Sequence, residues 1–356
     1  MDLPTVGLTG AEVTVRDGRG FAPAGTALRA IDLVDGHELW HVDHATTHTA
    51  NILNPASTFT TGSGSAVAMS EFFLDFNLQS PQFGSASGQV RYLDPATGQL
   101  LSTSPDASYA TPIEANGWTY DPRSRDISGI HAQVHDHTLV ATPPSGTGFS
   151  VQLPGSAVDV VSDDTTTFVS SSGVTFAVAA HGCGATTCVP LWSTNLGPHL
   201  ALANGTAYGL AYNGVVNAIG TAGCGSPTCS PTWSSPALTG SIGGIAVDRD
   251  HLFVTTGTTL SVFAANGCGA PSCSPVWTTS LGGTLSAPTV VNDVVFAGAS
   301  DGSLAAWNTA GCGSATCPTI WSQNQGAAVG PVSPISRAIV FPVGGMLRKL
   351  VVPNPS

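Results

Sequence analysis

Basic side chains are scarce in this chain. Lys349 is its single lysine, and lysine and arginine together number 10 among 356 residues. A surface with so few cations has no patch for a phosphate backbone, so nucleic acid and anionic lipid are poor partners. Charged residues of both signs make up only 9% of the chain, against about a quarter of an average soluble protein. We therefore expect a surface hydrated mainly by hydroxyl, amide and backbone groups.

Long apolar runs are also missing. No segment approaches the length of a membrane-spanning helix, about 18 apolar residues, so we expect no membrane insertion. The sequence starts at Met1 without a signal peptide, which we interpret as a mature or trimmed form of an exported protein. The nucleophile elbow, the phosphate-binding loop, the dinucleotide fingerprint and the haem-attachment motif are absent as well, and we assign no catalytic residue.

Cysteine occurs only in pairs. All 8 cysteines fall in four Cys-Gly-x-x-x-Cys segments, each followed by a tryptophan. Identical spacing across a tight turn predicts four intra-hairpin disulfides, because bonded cysteines need Cα atoms within about 7 Å. Metal ligation and reduced thiols are the alternatives. Disulfides persist in oxidising compartments, so we expect a secreted, extracellular or cell-envelope protein. The predicted pairs are Cys183–Cys188, Cys224–Cys229, Cys268–Cys273 and Cys312–Cys317.

The tryptophans that follow the cysteine pairs mark a repeat. They are separated by 41, 44 and 44 residues, which is the length of one four-stranded unit. Short runs between them, such as residues 286–292, alternate apolar and polar side chains as strands do. The pattern predicts an all-β fold, a β-propeller of four-stranded antiparallel blades. We expect five tryptophans to be buried structural anchors between blades: Trp40, Trp192, Trp233, Trp277 and Trp321.

Eight blades is the predicted count, with seven as the alternative. Positions equivalent to the anchor tryptophan fall at 40, about 102, about 149, 192, 233, 277 and 321, and one further unit follows. We treat residues 1–356 as one propeller domain, with degenerate blades over 1–153, disulfide-stapled blades over 154–326 and a closing blade over 327–356. The closing blade lacks an outer strand, which residues 3–7 can supply. Joining the chain ends in this way removes the open edges of the array.

Two stretches of the first half depart from the repeat. The unit after Trp40 is about eighteen residues too long, with an insertion near 45–88. Long insertions lie on loops at one face and carry function, while the alternative is an extra hairpin that packs its own small cluster. Between 106 and 153, either 110–116 or 130–134 is the innermost strand. The insertion contains Phe72, Phe73, Phe76 and Phe83.

One hairpin carries a family resemblance. Residues 30–40, from Ala30 to Trp40, match the pattern A-x-D-x-x-T-G-K-x-x-W at most positions, and residues 92–100 repeat it without the tryptophan. This resembles the tryptophan-docking motif of pyrroloquinoline-quinone-type propeller repeats, a family that includes outer-membrane assembly scaffolds as well as dehydrogenases. The resemblance implies the fold and leaves the role open. The quinone-dependent dehydrogenases use two adjacent cysteines against the cofactor, and no two cysteines adjoin here. We therefore expect no quinone.

Histidine and negative charge are concentrated in the first half. Residues 1–174 carry 18 acidic and 6 basic side chains, whereas residues 175–356 carry 4 of each. Three histidines at odd positions of one strand would share a face, and neutral imidazoles hold zinc or copper. These histidines thus suggest a divalent metal as a cofactor, and hydrogen-bonded surface or channel histidines are the alternative. The candidate ligands are His41, His44, His48, His131, His135 and His137.

These observations favour a non-catalytic exported propeller. It would bind a protein, a glycan or a surface polymer, or associate with copies of itself. The alternative is an enzyme with a site at the channel mouth in the first half, metal- or quinone-dependent. We expect the functional face in the long unit, residues 41–101. Residues 131–137 are the second choice, because they would lie near the channel if they formed an innermost strand.

Overall fold

The computed structural model describes residues 2–3, 13–24, 27–43, 51–53, 56–61, 64–76, 84–108, 110–128, 133–336 and 338–351. These residues form strands and turns only, and the strands assemble into eight four-stranded antiparallel blades arranged as a β-propeller. The predicted fold class and the count of eight are confirmed. Across the described ranges there is no helix with the length and apolarity to cross a membrane.

The strands of the first three blades vary in length, and two of them exceed ten residues. In chain order they are β1 (Asp2–Leu3), β2 (Thr14–Arg16), β3 (Arg19–Ala24), β4 (Ala27–Asp32), β5 (Glu38–Asp43), β6 (Asn51–Leu53), β7 (Ser57–Thr61), β8 (Gly64–Phe76), β9 (Gly84–Leu93), β10 (Leu100–Pro105), β11 (Ile113–Ala115), β12 (Trp118–Ser128), β13 (Gln133–Thr142) and β14 (Phe149–Gln152).

The strands of the later blades are short and regular. They are β15 (Ala157–Ser162), β16 (Thr166–Ser171), β17 (Val174–Ala179), β18 (Thr187–Cys188), β19 (Trp192–Thr194), β20 (His199–Ala203), β21 (Thr206–Leu210), β22 (Val216–Gly220), β23 (Trp233–Ser234), β24 (Ile242–Val247), β25 (His251–Thr256), β26 (Thr259–Ala264), β27 (Trp277–Ser280), β28 (Thr289–Val291), β29 (Val294–Gly298), β30 (Ser303–Asn308), β31 (Trp321–Asn324), β32 (Ser333–Ile335), β33 (Ala338–Val343) and β34 (Met346–Val351).

Each blade runs from the propeller axis to the rim in strand order. Blade 1 is β2–β5, blade 2 is β7–β10, blade 3 is β11–β14 and blade 4 is β15, β16, β17 and β19. Blades 5, 6 and 7 follow as β20–β23, β24–β27 and β28–β31. Blade 8 is β32–β34 with β1 as its outer strand, where Leu3 pairs with Leu347. The two ends of the chain therefore close the ring, as predicted.

The hydrophobic core lies between neighbouring blades. One cluster joins Phe253 and Val262 of blade 6 to Val295 and Trp307 of blade 7, and each of these side chains is at most 1% exposed. Similar clusters fill the other interfaces. Successive side chains of a strand point to opposite faces of its blade, and both faces are buried because a neighbouring blade covers each of them. Blade-to-blade packing is thus the main source of burial in the ring.

The antiparallel order gives the ring two distinct faces. Turns from the first to the second strand and from the third to the fourth lie at one end of every blade. This end also carries the four Cys-Gly-x-x-x-Cys turns, and we call it the staple face. Turns from the second to the third strand and the connections to the next blade lie at the opposite end, the loop face.

The innermost strand of blade 3 settles the ambiguous stretch. It is β11, Ile113–Ala115, within the predicted 110–116. Of the alternative, residues 130–134, the structure describes only 133 and 134, which begin β13, a third strand. The expectation that 131–137 lines the channel as an innermost strand is therefore wrong. The apolar alternation that suggested it belongs to a long second hairpin, which sequence periodicity does not distinguish from an inner strand.

Candidate functional site

All four cysteine pairs form disulfides within their own turns, as predicted. The Cα atoms of each pair are 5.5 to 5.8 Å apart, inside the range that a disulfide allows. In every pair the first cysteine lies toward solvent and the second is at most 4% exposed. Each disulfide therefore ties an exposed turn to the interface between two blades.

A glycine beside each staple lies directly on an aromatic ring of the preceding blade. A Cβ added to Gly223 would lie 2.5 Å from Nε1 of Trp192, a distance that real Cβ atoms do not adopt. Gly223 also has a φ of 73°, which favours glycine. We call such pairs a docking glycine and a docking aromatic. The five pairs are Trp40 with Gly98, Phe149 with Gly182, Trp192 with Gly223, Trp233 with Gly267 and Trp277 with Gly311.

Backbone hydrogen bonds accompany the ring contact. The Ser193 N–H donates to the Pro227 carbonyl over 2.9 Å, and the Cys229 N–H donates to the Ser193 carbonyl over 2.8 Å. The residue after the docking aromatic thus forms a parallel bridge to the next staple. Ser234 and Thr278 do the same in blades 5 and 6. A staple is therefore a clamp between blades as well as a closed turn.

Trp321 departs from this arrangement. Trp192, Trp233 and Trp277 are 4 to 6% exposed, whereas Trp321 is 36% exposed. The expectation that Trp321 is a buried anchor is wrong. Blade 8 has no third-to-fourth turn of the docking type, because its third strand ends at Val351 and its fourth strand, β1, comes from the start of the chain.

Two long hairpins leave blades 2 and 3 on the loop face. β8 and β9 stay paired out to Phe76 and Gly84, and β12 and β13 stay paired out to Ser128 and Gln133. The two hairpins pair with each other through β9 and β12, and β6 adds to the other side of β8. We call this five-stranded extension, in the order β6-β8-β9-β12-β13, the projecting sheet.

Buried polar side chains hold the base of the projecting sheet. Glu71 is 0% exposed and accepts hydrogen bonds from Arg91 over 2.5 Å and from Gln89 over 2.7 Å. Gly88 allows the close approach, since a Cβ there would lie 2.6 Å from the Glu71 carbonyl oxygen. Charge-assisted hydrogen bonds of this kind fix the register where the hairpin leaves the blade.

A second buried carboxylate lies at the same interface. Asp121 is 3% exposed, and its Oδ2 accepts from Ser104 over 2.6 Å and from Arg123 Nε over 2.9 Å. Its Oδ1 is buried with no hydrogen-bond partner among the described residues. Burial raises the pKa of Asp121, although Ser104 and Arg123 act against it. Burial likewise raises the pKa of the Tyr92 phenol beside it.

The histidines proposed as metal ligands are spread over two blades. His41 in blade 1 contacts Glu38, with Nδ1 2.7 Å from Oε1. In blade 3, His135 is exposed and His137 is buried, with ring centroids 6.4 Å apart, so the two share a face as the period of two predicts. Nδ1 of His137 lies 2.9 Å from the Ser124 hydroxyl. Four residues of the sequence predictions lie outside the described residues: His44, His48, Phe83 and His131. The side chains of Phe72, Phe73 and Phe76 are likewise not described.

One group of potential ligands is close together in the described part of the chain. Asp32, Asp35 and His37 bring one ligand atom each within 4.8 Å of one another at the turn of blade 1. Asp32 Oδ1 accepts from the Val34 N–H over 2.6 Å, and Asp35 Oδ1 lies 2.5 Å from His37 Nδ1. The Asp35 contact raises the pKa of His37. These are the hydrogen bonds of an Asx-type turn, and exposed groups of this kind are common without an ion.

Two cavities open on the loop face. One, of about 700 Å³, lies between blades 6, 7 and 8 and is lined by Leu285, Val329 and Pro342 among other uncharged residues. The other, of about 440 Å³, lies between blades 4 and 5 and includes the exposed Tyr212. Tyr212 meets His199 edge to face at 6.1 Å, and burial lowers the pKa of His199. The loop face thus carries both cavities as well as the projecting sheet.

Comparison with known proteins agrees with this geometry. A family profile described as outer membrane protein assembly factor BamB matches residues 191–352. Residues 191–352 therefore carry PQQ-like β-propeller repeats. A sequence search of curated proteins finds no match. The disulfides and the family are compatible with an exported or envelope protein.

Solved structures share the fold of this PQQ-like propeller at low identity. BamB from Moraxella catarrhalis is 11% identical, with a TM-score of 0.62 over 100% of this chain and 98% of that one. Sqt1 from Saccharomyces cerevisiae is 11% identical, with a TM-score of 0.66 over 99% and 97% of the two chains. The computationally designed Ika8 protein is 13% identical, with a TM-score of 0.64 over 99% of each. At these identities the likeness shows the fold alone.

Several residues at the projecting sheet were missed by sequence reasoning. Glu71, Gly88 and Asp121 have no motif around them, and their roles depend on contacts between strands far apart in the chain. A weak signal was present for Asp121, which stands in an otherwise strand-like stretch beside Tyr120 and Pro122. An acidic residue inside a strand pattern, with arginine two positions later, indicates a buried pair.

Proposed function

We propose that this PQQ-like propeller is a non-catalytic, exported binding module, and that the projecting sheet on its loop face holds a protein partner. The β-propeller fold, and its likeness to BamB and Sqt1, are consistent with a binding module. The four disulfides support export. The role needs no cofactor.

The length of the hairpins carries the proposal. β8 has 13 residues and β12 has 11, whereas the second strands of blades 4 to 8 have 5 or 6. Those later blades complete the ring with short turns, so the extra length of blades 2 and 3 serves no purpose in closing it. Long ordered extensions at one face of a scaffold are where binding residues concentrate.

The extension also offers a strand edge. β14 pairs with β13 only over residues 138–141, so β13 extends beyond its neighbour at the edge of the projecting sheet. The edge of a sheet is a template for an added strand. The sheet edge therefore favours a polypeptide partner over a glycan or a surface polymer, because main-chain groups recognise main-chain groups.

The negative charge of the first half limits which polypeptide segments the projecting sheet can bind. The first half carries 18 acidic and 6 basic side chains, and blades 2 and 3 belong to it. The field at the projecting sheet attracts a cationic segment, admits a neutral one and repels an acidic one. We therefore expect a partner segment that is extended and free of acidic residues.

Shortening the two hairpins tests the proposal. Phe72 pairs with Gly88, so an Asn-Gly turn in place of residues 73–87 rejoins the strands. Arg125 pairs with Asp136, so the same turn in place of 126–135 shortens the second hairpin. The wild-type protein is cross-linked to its neighbours in an extract of cell envelopes, the bound polypeptide is identified, and its affinity is then measured with purified components.

We expect both shortened variants to lose at least about tenfold in affinity while keeping the wild-type melting temperature. Val189→Ser is the control, because Val189 is 79% exposed on the staple face. Full binding by both shortened variants, or a partner that depends on the staple face instead, would show that the projecting sheet is not the binding site.

A further inference from the structure

Five aromatic rings of this propeller are covered by a docking glycine of the next blade. At four of them, Phe149, Trp192, Trp233 and Trp277, the residue after the ring also forms a parallel bridge to the segment that follows the glycine, as Ser193 does with Thr228. The glycine is required at each site because any Cβ would overlap the ring. The repeated contact shows which group packs on an aromatic ring at this position, namely a glycine of the next blade.

Trp321 occupies the same position, and no glycine of the described residues lies on its ring. It pairs with Ala306 of the neighbouring strand, as Trp192 pairs with Ala177 and Trp233 with Ala218. All four residues of β31, from Trp321 to Asn324, are exposed. Within the described residues, Ser322 has no parallel bridge of the kind that Ser193 forms. Ring and backbone are therefore both presented at the rim between blades 7 and 8, and we call this place the open slot.

The four staple glycines are engaged elsewhere. Each covers the aromatic ring of its own preceding blade: Gly182, Gly223, Gly267 and Gly311. Among the glycines that the structure describes, none lies on the Trp321 ring.

The surroundings of the slot are apolar. Ile320, directly before the ring, is 60% exposed, and Val351 at the end of β34 is 66% exposed. In blade 4 the corresponding Leu191 is also exposed, at 54%, but the adjacent Trp192 is covered. The open slot thus differs from the equivalent place in blade 4 in two ways: its aromatic ring is exposed, and within the described residues its next residue forms no parallel bridge.

We infer that the open slot binds a glycine-bearing turn of another protein, in the geometry that this chain uses internally at Phe149, Trp192, Trp233 and Trp277. The glycine lies on the Trp321 ring, and the following residues exchange backbone hydrogen bonds with Ser322. The slot lies at the rim between blades 7 and 8, away from the projecting sheet of blades 2 and 3. It does not depend on the function proposed for that sheet.

A staple peptide is the probe for this inference. A synthetic peptide with the sequence of residues 222–230, oxidised between its two cysteines, carries the turn that covers Trp192 in the intact chain. It is titrated into the full-length protein, and binding is followed by isothermal titration calorimetry, which measures the wild type and the Trp321 variants in the same way.

We expect saturable binding that Trp321→Ala weakens by about tenfold or more. Trp321→Phe should retain part of it, and a peptide with alanine in place of the docking glycine should not bind. Leu191→Ala is the matched control, since Leu191 precedes a ring that is already covered. Melting temperatures of all variants are recorded to verify folding.

Three results would overturn the inference. The first is no binding of the oxidised peptide up to millimolar concentration, and the second is equal binding to the wild type and to Trp321→Ala. The third is concentration-dependent self-association of the wild type that Trp321→Ala abolishes in sedimentation, because the slot would then receive a second copy of this chain.

Discussion

Blades 4 to 7 pack through one repeated contact, whereas blades 2 and 3 pack through buried polar side chains and strands of unequal length. The buried carboxylates and imidazoles among the described residues, Glu71, Asp121 and His137, all belong to blades 2 and 3. In blades 4 to 7 the buried polar residues are serine, threonine and asparagine. The repeated contact is sufficient to pack blades 4 to 7 into the ring, whereas buried charged side chains lower stability. Their presence in blades 2 and 3 indicates that the first half has a role beyond closing the ring.

The largest difference is expected between a covered and an uncovered ring. Trp233→Ala should cost about 3 to 5 kcal/mol, because it leaves a cavity in a packed interface. Trp321→Ala should cost about 1 kcal/mol or less, because its ring is already exposed and surface changes are small. Urea unfolding of both variants measures the two free energies. Equal losses would mean that Trp321 is covered in solution.

Removing a staple should have the next largest effect. Replacing Cys224 and Cys229 by serine should cost about 2 kcal/mol, from the chain entropy of closing so short a loop. Hydrogen exchange should rise at Ser193, whose bridge depends on the Cys224–Cys229 turn, and should stay unchanged in blades 1 to 3. A uniform rise across the whole ring would show that the two regions are not separable.

Sequence reasoning was most accurate where the chain repeats itself. The cysteine and tryptophan spacing predicted the blades and the disulfides, since each depends on one local unit. The position near 149 was predicted to be a tryptophan equivalent, and Phe149 is indeed the docking aromatic under Gly182. The exposure of Trp321 was missed because it depends on what the next blade lacks. The excess length after Trp40 was predicted, but the pairing of its hairpin with a long hairpin of blade 3 was not, because that pairing joins strands of two blades.

The buried carboxyl group should make the first half sensitive to pH. Burial raises the pKa of Asp121 in the folded state, so its contribution to stability is fully present below its unfolded pKa. That contribution is lost as the pH rises through the folded value. Relative to Asp121→Asn, the wild type should therefore gain on the order of 1 kcal/mol as the pH falls from neutral toward the ordinary carboxyl range. Urea unfolding at several pH values measures the difference between the two proteins, and parallel curves would rule out a raised pKa.

Of the changes considered, removal of metal ions by a chelator should have the smallest effect on stability. His41 and His137 are engaged by Glu38 and Ser124, and a non-catalytic binding module needs no ion. Dialysis against a chelator should therefore leave the melting temperature of the protein unchanged. A bound ion at 100 times its Kd would add about 2.7 kcal/mol to the free energy of unfolding, which a melting curve detects. Metal analysis of the purified protein completes the test, with His135→Asn plus His137→Asn as the matched variant. One zinc or copper per chain, lost in that variant, would favour the enzymatic alternative in the first half over the binding module.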